Sequence, residues 1–458
     1  MLLRSLPAAA RRLQRLPLAQ LVHTAGNLLP GAEGLAAGPR PFTPWTTFWL
    51  FLAQVLHGAG VCRDAVCAAQ AWLSAPGGPR LSSSSSAYCQ ARGRLPLRLV
   101  RRAAQDIVDR LGHAVPPCWR GRIVRVLDGS SLSMPDTPAN QGRYPQPARQ
   151  QPGCGFPVMR IAALFCLASG ALLGLAHGPL SVPERTLGRR LWRWLEAGCV
   201  LLADRGFCGF ADFWMLRQRG VDAVMRLHQR RSAGVKKIQR LAKNDWLVEW
   251  AKTGAAPRWM ARQQWKALPG VLRLRHIEVR VDIPGFRTQS ITVATTLLDP
   301  KAYPAQAFAD LYRRRWNAEL FLRGIKITMG MDVLRCKSPA MVHKERLMHW
   351  IAYNLVRAVM REAARRYHTD PLRLSLAGSR AAIEVWAPVL AATRSQRQRQ
   401  RTLADLLWRI AHDKVPLRPN RAEPRARKRR PKNYPLLNKP RSQYKEILHR
   451  NHYRKALS

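Results

Sequence analysis

The spacing of apolar positions divides the chain into a helical N-terminal part and a longer part in which strands and helices alternate. In the first part, apolar residues recur at the three- and four-residue spacing of helices. In the second part, short β-branched and aliphatic runs alternate with helical stretches and end at turn-forming residues. We therefore predict an α/β domain at 121–370, preceded by a helical domain at 41–120 with helices at 43–60, 61–73 and Gln90–Gly112.

A β-rich insertion at about 229–298 interrupts the predicted α/β domain. Before it, the pattern predicts strands at Ile123–Leu127, Val158–Leu167, Ala171–Ala176, Cys199–Ala203 and Val221–Leu227, and helices at Pro183–Glu196 and Phe210–Arg219. Strand-like runs within it lie at Trp246–Trp250, Leu272–Val281 and Ser290–Leu297. Two long helices are predicted after it, at about Pro304–Lys326 and Pro339–Arg365.

Both ends of the chain are basic. The first twenty residues are apolar, basic and free of acids, which resembles an organellar transit peptide. Because the whole chain is basic, we favour a basic, disordered arm at 1–40, or an extension from an upstream start codon. From Arg394 onward, 20 Lys and Arg stand against four acids. We therefore expect the basic C-terminal region, 371–458, to contain a tail that is extended and partly disordered until it binds DNA.

The net charge narrows the choice of partner. The chain carries 77 Lys and Arg against 27 Asp and Glu, a formal net charge of +50. Nucleic acid is the partner that fits best, because each phosphate that is neutralised releases counterions. A membrane is the alternative, but the longest apolar run, Ile161–Ala176, is shorter than the roughly 20 residues of a spanning helix. The nine cysteines include no CxxC pair, which argues against a zinc site and for reduced thiols in a cytoplasm.

Two aspartates follow predicted strands, Asp128 after Ile123–Leu127 and Asp204 after Cys199–Ala203. Ligands gather at the carboxyl ends of strands in open α/β sheets, and carboxylates are preferred ligands of Mg²⁺. A single Asp at such a place is more often a turn former or an N-cap. The two together are only moderately specific, so a third acid is needed to indicate a metal site.

The helix predicted at about Pro304–Lys326 supplies that acid. At about 100° per residue, four of its polar residues fall within an arc of about 60° on one face: Tyr312, Arg315, Glu319 and Lys326. An ordinary solvated stripe is the simpler reading of such a face. Against it, Leu311, Phe321 and Ile325 anchor the helix to a core, and a lone Glu among several arginines is an odd choice for solubility.

The spacing Tyr312-x₂-Arg315-x₃-Glu319-x₆-Lys326 resembles the Tyr-Arg-Glu-Lys signature of a branch of bacterial insertion-sequence transposases, the IS-four group of the DDE superfamily. The segments VLDGSSLSMPDTPAN and LLADRGFCGFADF are similar to the first and second motifs of that family, and RARKRRPKNYPLLNKPR is similar to its tail. The resemblance covers about residues 42–445, and the four-residue signature is its most specific part.

The resemblance implies a ribonuclease-H-like catalytic domain with a β insertion between the second Asp and the Glu. It implies that two Mg²⁺ (or Mn²⁺) ions are held by a triad of Asp128, Asp204 and Glu319. Phosphates of the transposon ends would then be contacted by Tyr312, Arg315 and Lys326, with Arg205 as a further basic candidate. The partners are double-stranded DNA at the ends and the target, and a second copy of the chain as a homodimer on DNA. In relatives an aromatic residue of the insertion holds a flipped base, and no local motif selects among Trp246, Trp250, Trp259 and Trp265.

Two other classes of protein share part of this pattern. A metal-dependent nuclease would use the same three acids without strand transfer and would not need the Tyr-Arg-Glu-Lys set. A catalytically inactive DNA-binding protein would explain the charge but not the acids. His177 and His228, near predicted strands, are more often polar strand ends than metal ligands, so we do not include them in the site.

Overall fold

The computed structural model describes residues 16–26, 29, 41–57, 61–73, 81–112, 115–228, 234–280, 290–416 and 436–444. Within these ranges the helices that precede the first strand are α1 Pro17–Thr24, α2 Pro44–Leu56, α3 Cys62–Leu73, α4 Ser86–Arg94 and α5 Leu97–Gly112. Thr43 caps the start of helix α2, because its side chain accepts a hydrogen bond from the N–H of Thr46. Helix α5 is amphipathic: it buries a stripe of apolar residues and exposes Arg98, Arg101, Arg102 and Arg110.

Nine described strands form one mixed sheet. They are β1 Val124–Ser133, β2 Val158–Cys166, β3 Leu172–Pro179, β4 Val200–Ala203, β5 Asp222–Arg226, β6 Val235–Ala242, β7 Asp245–Ala251, β8 Val271–Arg280 and β9 Ser290–Thr295. Their order across the sheet is β3-β2-β1-β4-β5-β9-β8-β7-β6. The neighbours β1, β4 and β5 are parallel, and every other pairing is antiparallel. The predicted mixed α/β class is therefore confirmed.

The region predicted as a β-rich insertion is indeed built of strands, β6 to β9, but it continues the main sheet through the pairing of β9 with β5. Strand β6 was not predicted, because most of its residues are polar and exposed and show no apolar alternation. Short helices connect the strands: α6 Pro138–Arg143, α7 Glu184–Arg189, α8 Phe210–Gln218 and α9 Arg262–Ala267.

Helices complete the described C-terminal half: α10 Ala305–Arg314, α11 Trp316–Arg323, α12 Pro339–Arg366, α13 Leu376–Ala392 and α14 Gln396–His412. Helix α12 is the central one, because α2, α5 and α14 all pack against it. Its Asn354 accepts a hydrogen bond from the N–H of Leu172 at 2.9 Å and donates one to the same residue's carbonyl at 2.8 Å. These two bonds join α12 to the edge strand β3. No helix in the described ranges is long and apolar enough to cross a membrane.

The two chain ends differ from expectation where the structure describes them. Helix α1 is part of the core, with Leu21 and Val22 buried, so the expectation of a disordered arm is wrong for residues 16–26. Helix α14 replaces the extended tail expected after Arg394, because Leu403, Leu406, Leu407 and Ile410 form a buried helical stripe. Residues 1–15 and the basic segment 425–435 lie outside the described residues.

Two predicted helices are shorter than expected. The helix predicted at Gln90–Gly112 is divided at Pro96 into α4 and α5, because proline cannot donate the backbone hydrogen bond of a helix interior. The helix predicted at Pro183–Glu196 ends at Arg189, and a 3₁₀ turn at Trp192–Trp194 follows it.

Candidate active site

Two aspartates lie side by side where the parallel pairing of β1 and β4 ends. The last aligned pair is Leu127 with Ala203, so Asp128 and Asp204 follow on neighbouring strands. The prediction that β4 ends directly before Asp204 is confirmed. The prediction that the first strand ends before Asp128 is wrong, because the second half of β1 continues to Ser133 in antiparallel pairing with β2. Asp128 therefore lies inside a strand, paired with Ala163 of β2.

Asp204 does not act as the helix cap that often explains an Asp after a strand. It precedes the 3₁₀ turn Arg205–Phe207, but its side chain makes no capping hydrogen bond. Asp128 accepts a hydrogen bond at Oδ1 from the N–H of Gly129, 2.9 Å away. Arg205 is exposed beside Asp204. A local structural role, as a turn former or helix cap, explains one hydrogen bond of Asp128. It explains no hydrogen bond of Asp204.

The helix predicted at about Pro304–Lys326 is not uniform. It is α10 and α11 joined at Arg315, where bonds of three-residue span replace the regular pattern, and it ends in a π turn at Gly324–Thr328. Such irregular turns are frequent at functional sites. The four signature residues nevertheless face the same region of the sheet, because Arg315 and Lys326 both contact side chains of β1.

Arg315 connects two acids that are far apart in the sequence. Its Nη2 donates a hydrogen bond to Oε1 of Glu319 at 2.8 Å, and its Nη1 lies 3.6 Å from Oδ2 of Asp128. Its guanidinium also lies beside the ring of the buried Tyr312, 5.8 Å from the ring centroid. Burial raises the pKa of the Tyr312 phenol, so the ring stays neutral. The structure thus brings together Asp128, Glu319, Arg315 and Tyr312.

Lys326 contacts the same strand as Asp128, two positions further along. Its Nζ donates a hydrogen bond to Oγ of Ser130 at 2.9 Å and lies 3.0 Å from Oδ1 of Asp332. Asp128 and Ser130 share one face of β1, because side chains alternate along a strand. Lys326 therefore adds a second cationic group to the face that carries Asp128.

A fourth carboxylate, Glu184, was missed by the sequence analysis. It lies in the first turn of α7, against the backbone of Gly129, where a built Cβ would come within 2.0 Å of the Glu184 Cδ atom. Burial raises the pKa of Glu184, and the charges of Asp128 and Asp204 raise it further. In the sequence, only Gly129 hinted that another group packs closely beside Asp128. The contact between Glu184 and Gly129 depends on the tertiary fold and could not be predicted.

The crowding of acids is also visible at Asp128. Burial raises the pKa of Asp128 to about 6, and the nearby carboxylates of Glu319 and Asp204 add to this effect. Arg315 and the Gly129 N–H act in the opposite direction. Glu184, Asp204 and Glu319 all lie close enough to affect one another or Asp128, which is the environment expected of a cation-binding site.

The four tryptophans of the insertion differ in their surroundings. Trp250 is buried and its Nε1 donates a hydrogen bond to Nε2 of His276 at 2.8 Å. Trp259 carries the guanidinium of Arg189 over its ring at 3.5 Å, and Trp246 carries the ammonium of Lys237 at 4.5 Å. Trp265 packs edge-on against Phe210. None of these contacts selects one tryptophan as a base holder.

Acids on neighbouring segments of a mixed α/β sheet, in a chain of net charge +50, are typical of metal-dependent enzymes that act on nucleic acid. The family model described as Transposase DDE domain matches residues 119–355. The chain therefore belongs to the DDE transposases, and the resemblance of its motifs to this family is confirmed. It is an enzyme of DNA phosphoryl transfer, and a requirement for divalent metal follows from the family.

Two known proteins illustrate this similarity. The transposase InsG for insertion sequence element IS4, from Escherichia coli (strain K12), is 29% identical over 370 residues, covering 79% of this chain and 80% of that protein. Among solved structures, the cryo-EM structure of the piggyBac transposase synaptic complex with hairpin DNA aligns with a TM-score of 0.43 at 9% identity. That alignment covers 81% of this chain and 77% of the other.

The acids fit a divalent cation by their chemistry. Carboxylate oxygens are the ligands that Mg²⁺ and Mn²⁺ prefer, and Asp128 and Glu319 already contact one shared cationic group, the guanidinium of Arg315. Within the described residues, however, no three metal-ligating side chains converge into a ready ligand set. Arg315 lies between two of the acids, so a cation has to compete with it or displace it.

Proposed function

We propose that this chain is the transposase of an insertion sequence, which binds the ends of the element and cuts and joins DNA in a metal-dependent reaction. One observation carries the proposal: Asp128 and Glu319, 191 positions apart in the numbering, contact the same guanidinium. Asp204 lies next to Asp128 in the register of β1 and β4. The contact of Asp128 and Glu319 with one guanidinium and the adjacent position of Asp204 support the proposal that these three acids form the phosphoryl-transfer site.

The fold supports a ribonuclease-H-like catalytic domain at 121–370. Strands β3, β2 and β1 are antiparallel neighbours, β4 and β5 continue in parallel, and the first two acids lie within β1 and directly after β4. The strands β6 to β9 form the insertion between the second acid and Glu319. Residues 41–120 and 371–458 flank this domain in the sequence and contribute further Lys and Arg residues.

Each site residue has a proposed role. Asp128, Asp204 and Glu319 would hold two Mg²⁺ (or Mn²⁺) ions, which when bound supply activation of an oxygen nucleophile and stabilisation of the leaving oxygen. Arg315 is suited to gripping a phosphate with its planar fork of donors, and Lys326 acts as a point charge. The exposed Arg205 extends the same phosphate-binding surface, and the buried Tyr312 supports Arg315 through its ring. These four residues position the scissile strand against the acids.

The proposed reaction proceeds by successive exchanges at phosphorus. Hydrolysis of one strand frees a 3′ hydroxyl at the end of the element. Attack of that hydroxyl on the opposite strand forms a hairpin and releases the flanking DNA. After the hairpin is opened by water, the 3′ hydroxyl attacks a phosphodiester of the target and joins the element to it. Each exchange breaks one P–O bond and forms another.

The partners in this proposal are double-stranded DNA, at the element's ends and at the target, and a second copy of the chain as a homodimer on DNA, in a bacterial cytoplasm. Helix α5 offers an exposed basic row for end binding, Arg98, Arg101, Arg102 and Arg110. Because α5 packs on α12, this row is rigidly connected to the catalytic sheet.

The decisive experiment is cleavage of labelled duplexes that carry the element's ends, with and without Mg²⁺. Glu319→Gln keeps the size of the side chain and removes its charge, and we expect it to abolish cutting. Asp310→Asn, an exposed acid on α10 paired with Arg313, is the matched control and should cut normally. Hairpin and joined products separate transposition from simple nuclease action. A Glu319→Gln protein that cuts as fast as the parent would exclude this mechanism.

A further inference from the structure

A second basic site lies outside the triad, in a cavity of about 660 Å³ between α5, β3 and α12. Six of its lining residues are basic or imidazole side chains: Arg101, His177, Arg190, Arg193, His343 and Arg346. No Asp or Glu is among the residues that line it. A concave surface of one charge sign, without counter-ions, concentrates anions.

Arg346 is the strongest indication that this cavity takes a ligand. Its side chain lies inside the protein, with the residue only 3% exposed. Its Nη1 donates a hydrogen bond to the carbonyl of Leu175 at 3.2 Å, and its Nη2 lies 3.3 Å from Nδ1 of His343. Its Nε has no hydrogen-bond partner among the described residues, and no acid within them forms an ion pair with it. A buried charge without a counter-ion is costly, so an anion that reaches it binds favourably.

The other arginines are held at the wall of the cavity by neutral groups. Arg190 donates a hydrogen bond to the carbonyl of His177 at 3.3 Å, and Nη2 of Arg101 lies 3.3 Å from Nε2 of His343. Arg193 lies over the ring of Trp194 at 3.8 Å. None of these contacts neutralises a guanidinium, so the positive charges remain available to a ligand.

The two histidines respond to this local charge. Burial lowers the pKa of His177 to about 2 and that of His343 to about 4, and in both cases Arg346 is the next cause. Both rings are therefore neutral at physiological pH and serve as hydrogen-bonding groups. His177 is oriented by the hydroxyl of Tyr144, 3.1 Å from its Nδ1. The cavity thus combines cationic guanidinium groups with neutral imidazole rings.

The sheet connects this cavity to the candidate active site. Ser130, which binds Lys326, pairs with Ile161 of β2, and Ile161 pairs with His177 of β3. At the usual separation of neighbouring strands, His177 lies about 10 Å across the sheet from Ser130. This is the distance of one or two nucleotides along a DNA strand, each carrying one phosphate.

We propose that this cavity binds a phosphate group, with Arg346 as its inner ligand and Arg190 at its wall. The group belongs either to a DNA strand that continues from the active site or to a free phosphate. The DNA source rests on the proposed function, whereas phosphate binding itself does not. Guanidinium groups suit either source, because their planar donors match phosphate oxygens in pairs.

The first test is the thermal unfolding of the full chain in inorganic phosphate, against chloride at equal ionic strength. We expect phosphate to raise the unfolding temperature of the parent by several degrees, because a ligand of the folded state stabilises it. Arg346→Met should lose this shift. Arg366→Met, an exposed arginine on the same helix, is the matched control and should keep it.

The second test is the salt dependence of DNA binding. If the site takes a DNA phosphate, Arg190→Ala makes the negative slope of log K against log salt shallower by about 0.9, the value for one lost phosphate contact. Arg217→Ala, an exposed arginine on α8, should leave the slope unchanged. A phosphate shift without a change of slope assigns the site to free phosphate, and a change of slope without a phosphate shift assigns it to DNA.

The proposal is overturned if Arg346→Met and Arg190→Ala match their controls in both measurements. If Arg346→Met does not fold, Arg190→Ala decides both of them. End cleavage by the parent protein is measured separately. A parent that binds phosphate in the cavity but never cuts DNA refutes the proposed function and leaves this site standing.

Discussion

Nη2 of Arg315 donates a hydrogen bond to Oε1 of Glu319 across one turn of helix, at 2.8 Å. The same guanidinium lies 3.6 Å from Asp128, so it occupies the space between two proposed metal ligands. The positive charge of the Arg315 guanidinium holds Asp128 and Glu319 near one another and offsets the repulsion between their carboxylates. It also competes with any metal ion for their oxygens.

Replacing Arg315 should therefore separate metal binding from catalysis. We expect Arg315→Ala to bind Mn²⁺ about tenfold more tightly without DNA, a difference of about 1.4 kcal/mol, because the competing charge is gone. The same variant should cut DNA more slowly, because a phosphate ligand is lost. Mn²⁺ titration by calorimetry and end cleavage measure the two effects. Arg323→Ala, exposed on α11, is the control; unchanged Mn²⁺ affinity in Arg315→Ala would show that the guanidinium does not compete.

Lys326 should act through phosphate binding. We expect Lys326→Ala to weaken binding of end DNA and to reduce the slope of log K against log salt by about 0.9, the share of one phosphate. Ser130→Ala, which removes the partner at 2.9 Å but keeps the charge, should have a smaller effect. Lys301→Ala, exposed before α10, is the control for charge alone. Equal slopes for Lys326→Ala and the parent would remove the phosphate role.

A side chain at position 129 should displace the side chain of Glu184, whose atoms lie where the Cβ would be. A Cβ there would come within 2.0 Å of the Glu184 Cδ, so Gly129→Ala forces Glu184 out of its position. We expect a loss of about 1–3 kcal/mol in the free energy of unfolding, as for other overpacked sites. Adding Glu184→Ala should restore most of it, which urea denaturation of both variants measures. A double variant no more stable than Gly129→Ala would mean that another contact causes the loss.

Much of the fold could be predicted because it depends on local pattern. The apolar runs before Asp204 and in β2 predicted buried strands, since such runs cannot remain in water. Strand β6 and helix α14 were missed for opposite reasons. The residues of β6 are mostly exposed and give no alternation, whereas α14 has a regular apolar stripe hidden among Arg and Gln. The many basic residues of the tail predicted an extended segment, and the helical spacing of its apolar residues was therefore overlooked.

The candidate site was predictable only in part. The spacing of Arg315 and Glu319 predicted that they share one helix face, and in the structure these two residues, four apart, also form a hydrogen bond. The continuation of β1 beyond Asp128 was not predictable, since Gly129 and Ser130 read as a turn until β2 pairs with them. Glu184 and the cavity around Arg346 depend on contacts between distant segments. No local spacing signals such contacts.

The buried ion pair of Arg275 on β8 and Asp245 on β7 should be essential to the stability of the part of the sheet formed by β6, β7 and β8. Both side chains are at most 1% exposed, Nε of Arg275 lies 2.8 Å from Oδ1 of Asp245, and its Nη1 binds the carbonyl of Tyr303 at 2.7 Å. Arg275→Met leaves the Asp245 charge buried alone, so we expect a loss of about 3–5 kcal/mol. Arg275→Met with Asp245→Leu removes both charges and should be close to the parent. The denaturant midpoints of the parent, the single variant and the double variant measure this loss. If the double variant is as unstable as the single variant, the unpaired charge of Asp245 is not the cause.

His349 should make the protein less stable in mild acid. It is 4% exposed on α12, and burial lowers its pKa to about 3, an effect that the nearby Arg335 increases and a hydrogen bond with the Met329 backbone partly offsets. In the unfolded chain the imidazole titrates near 6.5. Between these values the unfolded state binds one proton more than the folded state, so stability is complete above about pH 6.5 and falls as the pH is lowered.

By pH 5 this single group should cost about 2 kcal/mol of the free energy of unfolding. His349→Gln keeps a donor of similar reach and does not titrate, so its stability should fall less between pH 7.5 and pH 5, by roughly that amount. His23→Gln, an exposed histidine on α1, is the control and should follow the parent. Urea denaturation at each pH measures the difference. If His349→Gln and the parent lose the same stability, protonation of His349 is not what destabilises the fold.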